Sequence, residues 1–364
     1  MRHTRRQFLT ASTAFAVGTG MGLRCRADES LASKPLSMHA WVRDTRNPIF
    51  VPLSTFDEKG AQGPCVVLDG GRWWMFYAGI GNDGIQRICL ATADPDRPTE
   101  WERFGPILDL GKRDSFDEKA ATYPRVHRIG GKWHLYYFGR SARENEYHFS
   151  NYRGIGLAQS DDLRNWEKHS SEPVIEGDGI AEYPKCKALV GLGNIIEIQL
   201  PGEKSGYRLY YTLLPGLKDP NWKANGTWHV IEHKVCAAAH SVDGILWTDR
   251  QVVFDRRRDV TSEDIGVVGL NVWRSGPGYR GVYTGLGTQY QTYSLCEASS
   301  PDGLVWDRGS KRDNVCLVPV ASGWDSAMIG YPCTLKEKEG IRVFYNGAGG
   351  GATGIGMAYA PLLV

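Results

Sequence analysis

One pattern recurs along this chain at intervals of about forty to sixty residues, and a chain that repeats on that scale folds as a stack or a ring of like units. Phe56-Asp57-Glu58-Lys59 returns as Phe116-Asp117-Glu118-Lys119, and Pro64 and Pro124 follow at the same offset. Pro184 falls at the next equal spacing, and Pro332 closes the series with Trp324-Asp325 in the place of Phe56-Asp57. Between them, Glu263-Asp264 followed by Asn271 takes the equivalent place without the proline. Each unit then runs through an apolar segment, a turn such as Gly70-Gly71 or Gly130-Gly131, and an aromatic segment such as Trp73-Trp74-Met75-Phe76-Tyr77. A segment of small residues comes next, then a turn ending in Trp (Ser160-Asp161-Asp162 to Trp166, Ser241 to Trp247, Ser300 to Trp306), and a short last segment.

Four short strands per unit predict the blades of an all-β, five-bladed β-propeller. The fifth unit has three strands, and Trp41 to Pro52 has the pattern of the missing outer one. It is therefore expected to pair with Gly354 to Ala360, closing the ring and covering an otherwise exposed edge. The domain reading is 1–32 as a signal peptide with a short linker and 33–364 as a single propeller.

Thr4-Arg5-Arg6-Gln7-Phe8-Leu9 followed by an uncharged stretch of small and apolar residues reads as a twin-arginine signal, with cleavage after Ala27 or Ala32. A periplasmic or secreted protein is expected, with no membrane association after cleavage. Nothing beyond the N-terminus approaches the roughly 18 apolar residues of a membrane span. Residues 1–27 hold five Arg and no acid, so their removal turns the formal charge of +2 into −3. A mildly acidic chain with scattered charge is a poor nucleic-acid partner. A monomer is expected.

There are eight Cys. Cys89, Cys236 and Cys296 occupy one strand position in three units, where other units have apolar or small residues, so they are expected free and buried. No close Cys or His pair has zinc-ligand spacing. No metal site or cofactor is expected, beyond a structural cation that the central channel could hold.

Comparing units within one chain separates what repeats, and builds the fold, from what occurs once. Two before the proline the units read Gln62, Thr122, Glu182, Gly269 and Gly330, with Glu182 the lone carboxylate. Positions one and three after it share a strand face. They are expected to project Arg125 with His127, and Lys185 with Lys187, from innermost strands into the funnel. The repeated acids Asp57, Asp117, Asp264 and Asp325 read equally as turn-capping groups and as funnel carboxylates. Tyr123, Tyr183, Asn271, Trp273 and Tyr331 join the candidate ligand contacts, the aromatics by stacking.

At these residues the chain resembles the five-bladed propeller glycosidases: glycoside hydrolase family 43, the invertases and levansucrases, and the mannoside phosphorylases. The resemblance rests on the blade pattern, the N-terminal closure and Glu182-Tyr183-Pro184, which looks like the family 43 acid motif. It implies Glu182 as general acid. Gly63 stands where family 43 places its base aspartate, so Asp57 and Asp117 are assigned as the other carboxylates from blade position. A funnel that brings together a protonated and an ionised carboxyl suits glycoside hydrolysis. A phosphorylase, with Arg125, Lys185 and Lys187 on phosphate, and a non-catalytic carbohydrate-binding propeller are the competing readings. For the hydrolase reading, whose partner is a carbohydrate substrate, the basic residues suggest an anionic sugar.

Overall fold

The computed structural model describes residues 41–142, 152–177, 180–184, 188–200, 202, 204–215, 233–309 and 314–361, all within one compact unit, Pro35–Val364. They form five antiparallel sheets, each running outward from its first strand. Blade I is Gly60–Asp69, Arg72–Ile80, Gln86–Ala93 and Glu102–Pro106. Blade II is Ala120–Ile129, Lys132–Arg140 and Tyr152–Ser160, with Glu167–Lys168 and Ile175–Glu176 as two outer pieces. Blade III is Ala188–Leu200, Lys204–Leu214, Val235–Ser241 and Thr248–Phe254; blade IV is Gly266–Ser275, Gly278–Gly287, Thr292–Ser300 and Val315–Leu317. Blade V is Gly330–Lys336, Gly340–Asn346 and Ile355–Pro361, completed by Val42–Arg43. First strands touch in cyclic order, I to II to III to IV to V and back to I. This is the five-bladed propeller that the repeat predicts.

Ring closure also follows the sequence reading. Val42 pairs with Tyr359 and Arg43 with Ala358, and Phe50 bridges Ile355. The second strands explain the aromatic tracts. A blade is covered on both faces by its neighbours, so Phe76 and Tyr77, Tyr136 and Tyr137, and Phe344 and Tyr345 are all buried although successive side chains point to opposite faces. Each such side chain contributes about 1.5–3 kcal/mol by leaving water. Gly70-Gly71 and Gly130-Gly131 have positive φ at both residues, as the tight hairpins between first and second strands require. The turns before the tryptophans lock neighbouring blades. In the third of them Ser300 Oγ and Asp302 Oδ1 accept the turn's amides, and Tyr210 of blade III donates to Gly303 O at 2.9 Å.

Aligning blades on the second-strand tyrosines Tyr77, Tyr137, Tyr211, Tyr283 and Tyr345 corrects the sequence frame twice. In blade III the first strand begins at Ala188, beyond Pro184, so Glu182, Tyr183 and Pro184 lie in the connection, where Ile180 bridges Tyr183. Lys185 and Lys187 lie outside the described residues. In blade IV, Asn271 pairs with Val282 as Cys65 pairs with Phe76, so Leu270 holds the place of Pro64 and Glu263, not Asp264, the place of Asp57. Cys89 and Cys296 face Tyr77 and Tyr283, whereas Cys236 sits one residue earlier, against Thr212. All three are free and buried, as expected.

The corrected frame reveals a layer of five equivalent residues around the axis: Cys65, Arg125, Asn194, Asn271 and Cys333. Each side chain bonds the backbone of the next blade. Cys65 Sγ accepts from Val126 N (3.2 Å), and Arg125 Nε donates to Gly193 O (2.5 Å). Asn194 exchanges two 2.8 Å bonds with Val272, Asn271 Nδ2 donates to Pro332 O (2.8 Å), and Cys333 Sγ accepts from Val66 N (3.2 Å). Arg125 further donates to Pro64 O, Pro124 O and Pro332 O. Its guanidinium therefore fills the axial place in which the sequence reading left room for a cation. A buried charge is tolerable here because carbonyl dipoles surround it.

Candidate active site

The two ends of the propeller differ. At one end the connections between first and second strands are short hairpins. At the other, the long segments that link blades and the loops between second and third strands gather, and functional residues concentrate on such loops. We call this end the mouth.

At the mouth each first strand carries a β-bulge, with register shifts between Gln62 and Cys65, Thr122 and Arg125, Val268 and Asn271, and Gly330 and Cys333. The same bulge position has positive φ in four blades: Gly63 (64°), Tyr123 (49°), Gly269 (66°) and Tyr331 (56°). Glycine accepts this backbone freely; tyrosine does so at a cost of about 1–3 kcal/mol, a kind of strain that gathers at functional sites. Neighbouring blades hold the bulges down. Asn346 Oδ1 accepts from Gly63 N (2.7 Å), Thr212 Oγ1 from Gly269 N (3.1 Å) and Thr284 Oγ1 from Tyr331 N (3.1 Å). Gly63 is constrained a second way, because a Cβ there would stand 2.7 Å from Tyr123 Cδ1.

The bulges place Tyr123 and Tyr331 side by side above the hub, with ring centroids 5.3 Å apart, and Tyr293 stands 5.8 Å from Tyr331. Lys234 Nζ donates to the Tyr293 hydroxyl at 2.8 Å. Burial pushes Tyr293 up to about 12 and Tyr331 further, so both remain protonated donors. The result is an aromatic platform edged by hydroxyls and an ammonium.

Over blade III the Tyr183 hydroxyl donates to Asp255 Oδ2 at 2.6 Å, the Arg256 amide donates to Asp255 Oδ1 at 2.6 Å, and His233 Nε2 meets the same oxygen. Burial works to raise the Asp255 pKa, but the bonds from His233 and Tyr183 outweigh it and hold the carboxyl below its ordinary value. The Asp255 side chain keeps 42% of its exposure, so an ionised acceptor remains open to solvent beside a buried imidazole.

The predicted site residues are only partly brought together. Tyr123 is on the platform and Tyr183 in the Asp255 group. Glu182 is exposed in the connection before blade III, and its Oε1 accepts from Val252 N (3.2 Å) on the outermost strand, away from the axis. Asp57, Asp117 and Asp325 are buried and tied to the fold. Asp57 accepts from the Tyr77 hydroxyl (2.8 Å) and Arg103 (2.6 Å), and Asp117 from Tyr137 (2.9 Å) and Lys168 (2.6 Å). Asp325 accepts from Tyr345 (3.2 Å) and Arg43 (2.9 Å). These contacts are those that the supporting alternative for the repeated acids expects. Asp264 caps the loop after the second strand of blade IV, accepting from Thr288 N (2.8 Å). Arg125 and Asn271 belong to the hub, and His127 and Trp273 lie on the far side of it from the mouth, two residues further along their strands.

Sequence reasoning missed Tyr293, Lys234, His233 and Asp255. The signal existed: three residues before the one that faces each second-strand tyrosine (Cys89, Ala237, Cys296, Gly356), Gln86, Lys234, Tyr293 and Thr353 are equivalent, polar and all different, as a site-lining position should be.

Among curated proteins, an uncharacterized protein of Mycobacterium tuberculosis is 29% identical over 328 residues, 88% of this chain and 98% of its own length. A 1,2-β-oligomannan phosphorylase of Thermoanaerobacter is 32% identical over 121 residues, 32% of this chain and 33% of that protein. No family model matches the chain. Among solved structures, one from the GH130 family of mannoside phosphorylases, which contains glycoside hydrolases that target β-1,2 mannosidic linkages in Candida mannan, covers 88% of this chain and 93% of its own, at 16% identity and a TM-score of 0.61. A putative glycoside hydrolase from Parabacteroides distasonis covers 88% and 96%, at 16% and 0.61, and a thermostable family-43 glycoside hydrolase 83% and 88%, at 16% and 0.56. This chain has the five-bladed propeller fold of glycoside hydrolases and mannoside phosphorylases.

Proposed function

We propose that this chain is an exported glycoside hydrolase that cleaves β-mannosidic bonds at the funnel mouth. The strained tyrosine platform carries the reading. Tyr123 and Tyr331 are partly exposed aromatic rings, with the buried Tyr293 packed against Tyr331, and both hold a backbone that glycine would adopt without strain. Glycoside cleavage needs an ionised carboxylate beside the bond, together with an acid. Asp255 is the candidate for this carboxylate, being solvent-accessible and held in its charged form. The sugar class rests on the relatives whose names specify β-1,2-mannosides. Export rests on Thr4-Arg5-Arg6-Gln7-Phe8-Leu9, and cell fractionation tests it. The anionic substrate suggested by the basic residues loses support, because Arg125 serves the hub.

A phosphorylase is the second reading, favoured by the 121-residue match to the oligomannan phosphorylase. One assay separates the two: release of mannose from β-1,2-mannobiose with and without inorganic phosphate. The hydrolase gives free mannose in both; a phosphorylase gives mannose 1-phosphate and needs the phosphate. Asp255→Asn should lower turnover by about 10²–10⁴-fold with folding retained. Wild-type turnover in a folded Asp255→Asn protein overturns the assignment of that residue, and no release from any β-mannoside overturns the sugar class.

A further inference from the structure

The hub divides the axis. Below it, at the end opposite the mouth, lies a cleft of about 750 Å³ between the first strands of blades II to V. That volume is within the usual range for small-molecule sites, about 300–1,000 Å³. Arg125, bonded to carbonyls of four strands, stands between it and the mouth, so the cleft is a separate compartment and not the floor of the funnel.

Its lining is unlike a packing defect. His127 reaches it, and His127 Nε2 is buried with no hydrogen-bond partner among the described residues. A buried polar atom without a partner costs about 1–3 kcal/mol, and a ligand hydroxyl would relieve that. Burial, with His134 nearby, lowers the His127 pKa to about 4, so the ring is neutral near pH 7 and suits an uncharged hydroxyl over an anion. Tyr207 packs edge-on to it, with ring centroids 6.0 Å apart, and supplies an aromatic face. Glu197 and Gln199 stand exposed on one side, Arg274 and Lys336 on the other. A neutral imidazole, carboxylate and amide acceptors, cationic donors and an aromatic wall form the inventory that recognises a polyol with alternating apolar and hydroxyl faces.

We propose that the distal cleft is a second carbohydrate site, which holds one or two neutral hexose units. It depends on the proposed function only for the identity of the sugar, a β-mannoside. A site there would anchor one segment of a long glycan while another lies at the mouth, raising effective concentration without taking part in cleavage.

The test is calorimetric titration of the full chain with S-linked β-1,2-thiomannobiose, which resists cleavage. Wild type should bind two equivalents. His127→Ala should lose one, or bind it at least about tenfold more weakly, and His127→Gln, which restores a hydrogen-bonding group, should recover it in part. Gln199→Trp fills the cleft from its exposed rim. It should remove the same equivalent while leaving turnover of a small aryl mannoside unchanged, and it decides the matter if His127→Ala does not fold. Wild-type stoichiometry in Gln199→Trp, or no binding by the wild type at all, overturns the proposal. If no β-mannoside is turned over and Gln199→Trp still abolishes a bound equivalent, the distal site stands and the hydrolase reading falls.

Discussion

Among the described residues, blade III and the other four blades differ in the contacts seen at the second-strand tyrosine. In blades I, II, IV and V a buried acid (Asp57, Asp117, Glu263, Asp325) takes the hydroxyl of the tyrosine twenty residues later. It also takes a cation from the blade's outer edge: Arg103, Lys168, Arg308 or Arg43. In blade III Arg250 Nε donates to the Tyr211 hydroxyl at 3.2 Å, and Asp255 follows the mouth end of the outermost strand, Thr248–Phe254. The recurrent carboxylates are buried and hold the blades together, whereas the Asp255 side chain keeps a face in solvent.

The largest effect should come from a residue that complicates this comparison. Arg125 is unrepeated, yet it serves the scaffold. Arg125→Met should cost upward of about 4 kcal/mol, because several buried carbonyls lose their partner. Chemical denaturation checks this, and a variant of native stability would break the hub argument. Next, Asp57→Asn strands Arg103 and should cost about 3–5 kcal/mol with turnover per folded molecule unchanged. Tyr211→Phe in blade III removes one hydroxyl, which accepts from Arg250, and should cost about 1–3 kcal/mol, less than Asp57→Asn; equal losses in the two variants would mean that the buried carboxylate adds nothing beyond a hydroxyl. Third, Tyr331→Gly removes a platform ring and relieves its strained backbone. We expect kcat/KM to fall about 10²-fold while the melting temperature moves by a few degrees at most. The reverse pattern would make the platform a packing device. Smallest is Glu182→Gln, whose carboxylate meets an outer strand. Stability should change by less than about 0.5 kcal/mol and turnover by less than twofold. A hundredfold loss of turnover would return Glu182 to the mechanism.

The blade pattern was legible because each blade repeats its punctuation: Gly-Gly hairpins, aromatic second strands, Ser-x-Asp turns. The closing strand could be read from the strand that the fifth unit lacks. The frame at blade III was not legible from prolines, since Pro184 keeps the spacing of Pro64 and Pro124 while standing in a connection. The tyrosines would have been a better ruler, because Tyr77 and its equivalents are pinned by burial on both faces of a blade. The carboxylates were read half correctly. Burial of Asp57 depends on Arg103, 46 residues away, and a local spacing cannot show whether an acid meets such a partner or water. The mouth itself depended on bulges, and positive φ at a tyrosine leaves no mark in sequence.

The pairing of Val42 with Tyr359 has a consequence for how the molecule is assembled. Among the first described residues to be synthesised, Val42 and Arg43 find their places only after nearly all the rest of the ring exists. Until then blade V lacks its outer strand and Asp325 lacks the Arg43 guanidinium. The contact of greatest sequence separation thus forms late, after intervening blades have shortened the effective loop that must close. A folding chain is in this sense an open necklace whose clasp is at its beginning. The same adjacency means that the segments around Val42 and Tyr359 could be linked directly and the chain reopened at a hairpin such as Gly70-Gly71, which would turn the last step of folding into a local one.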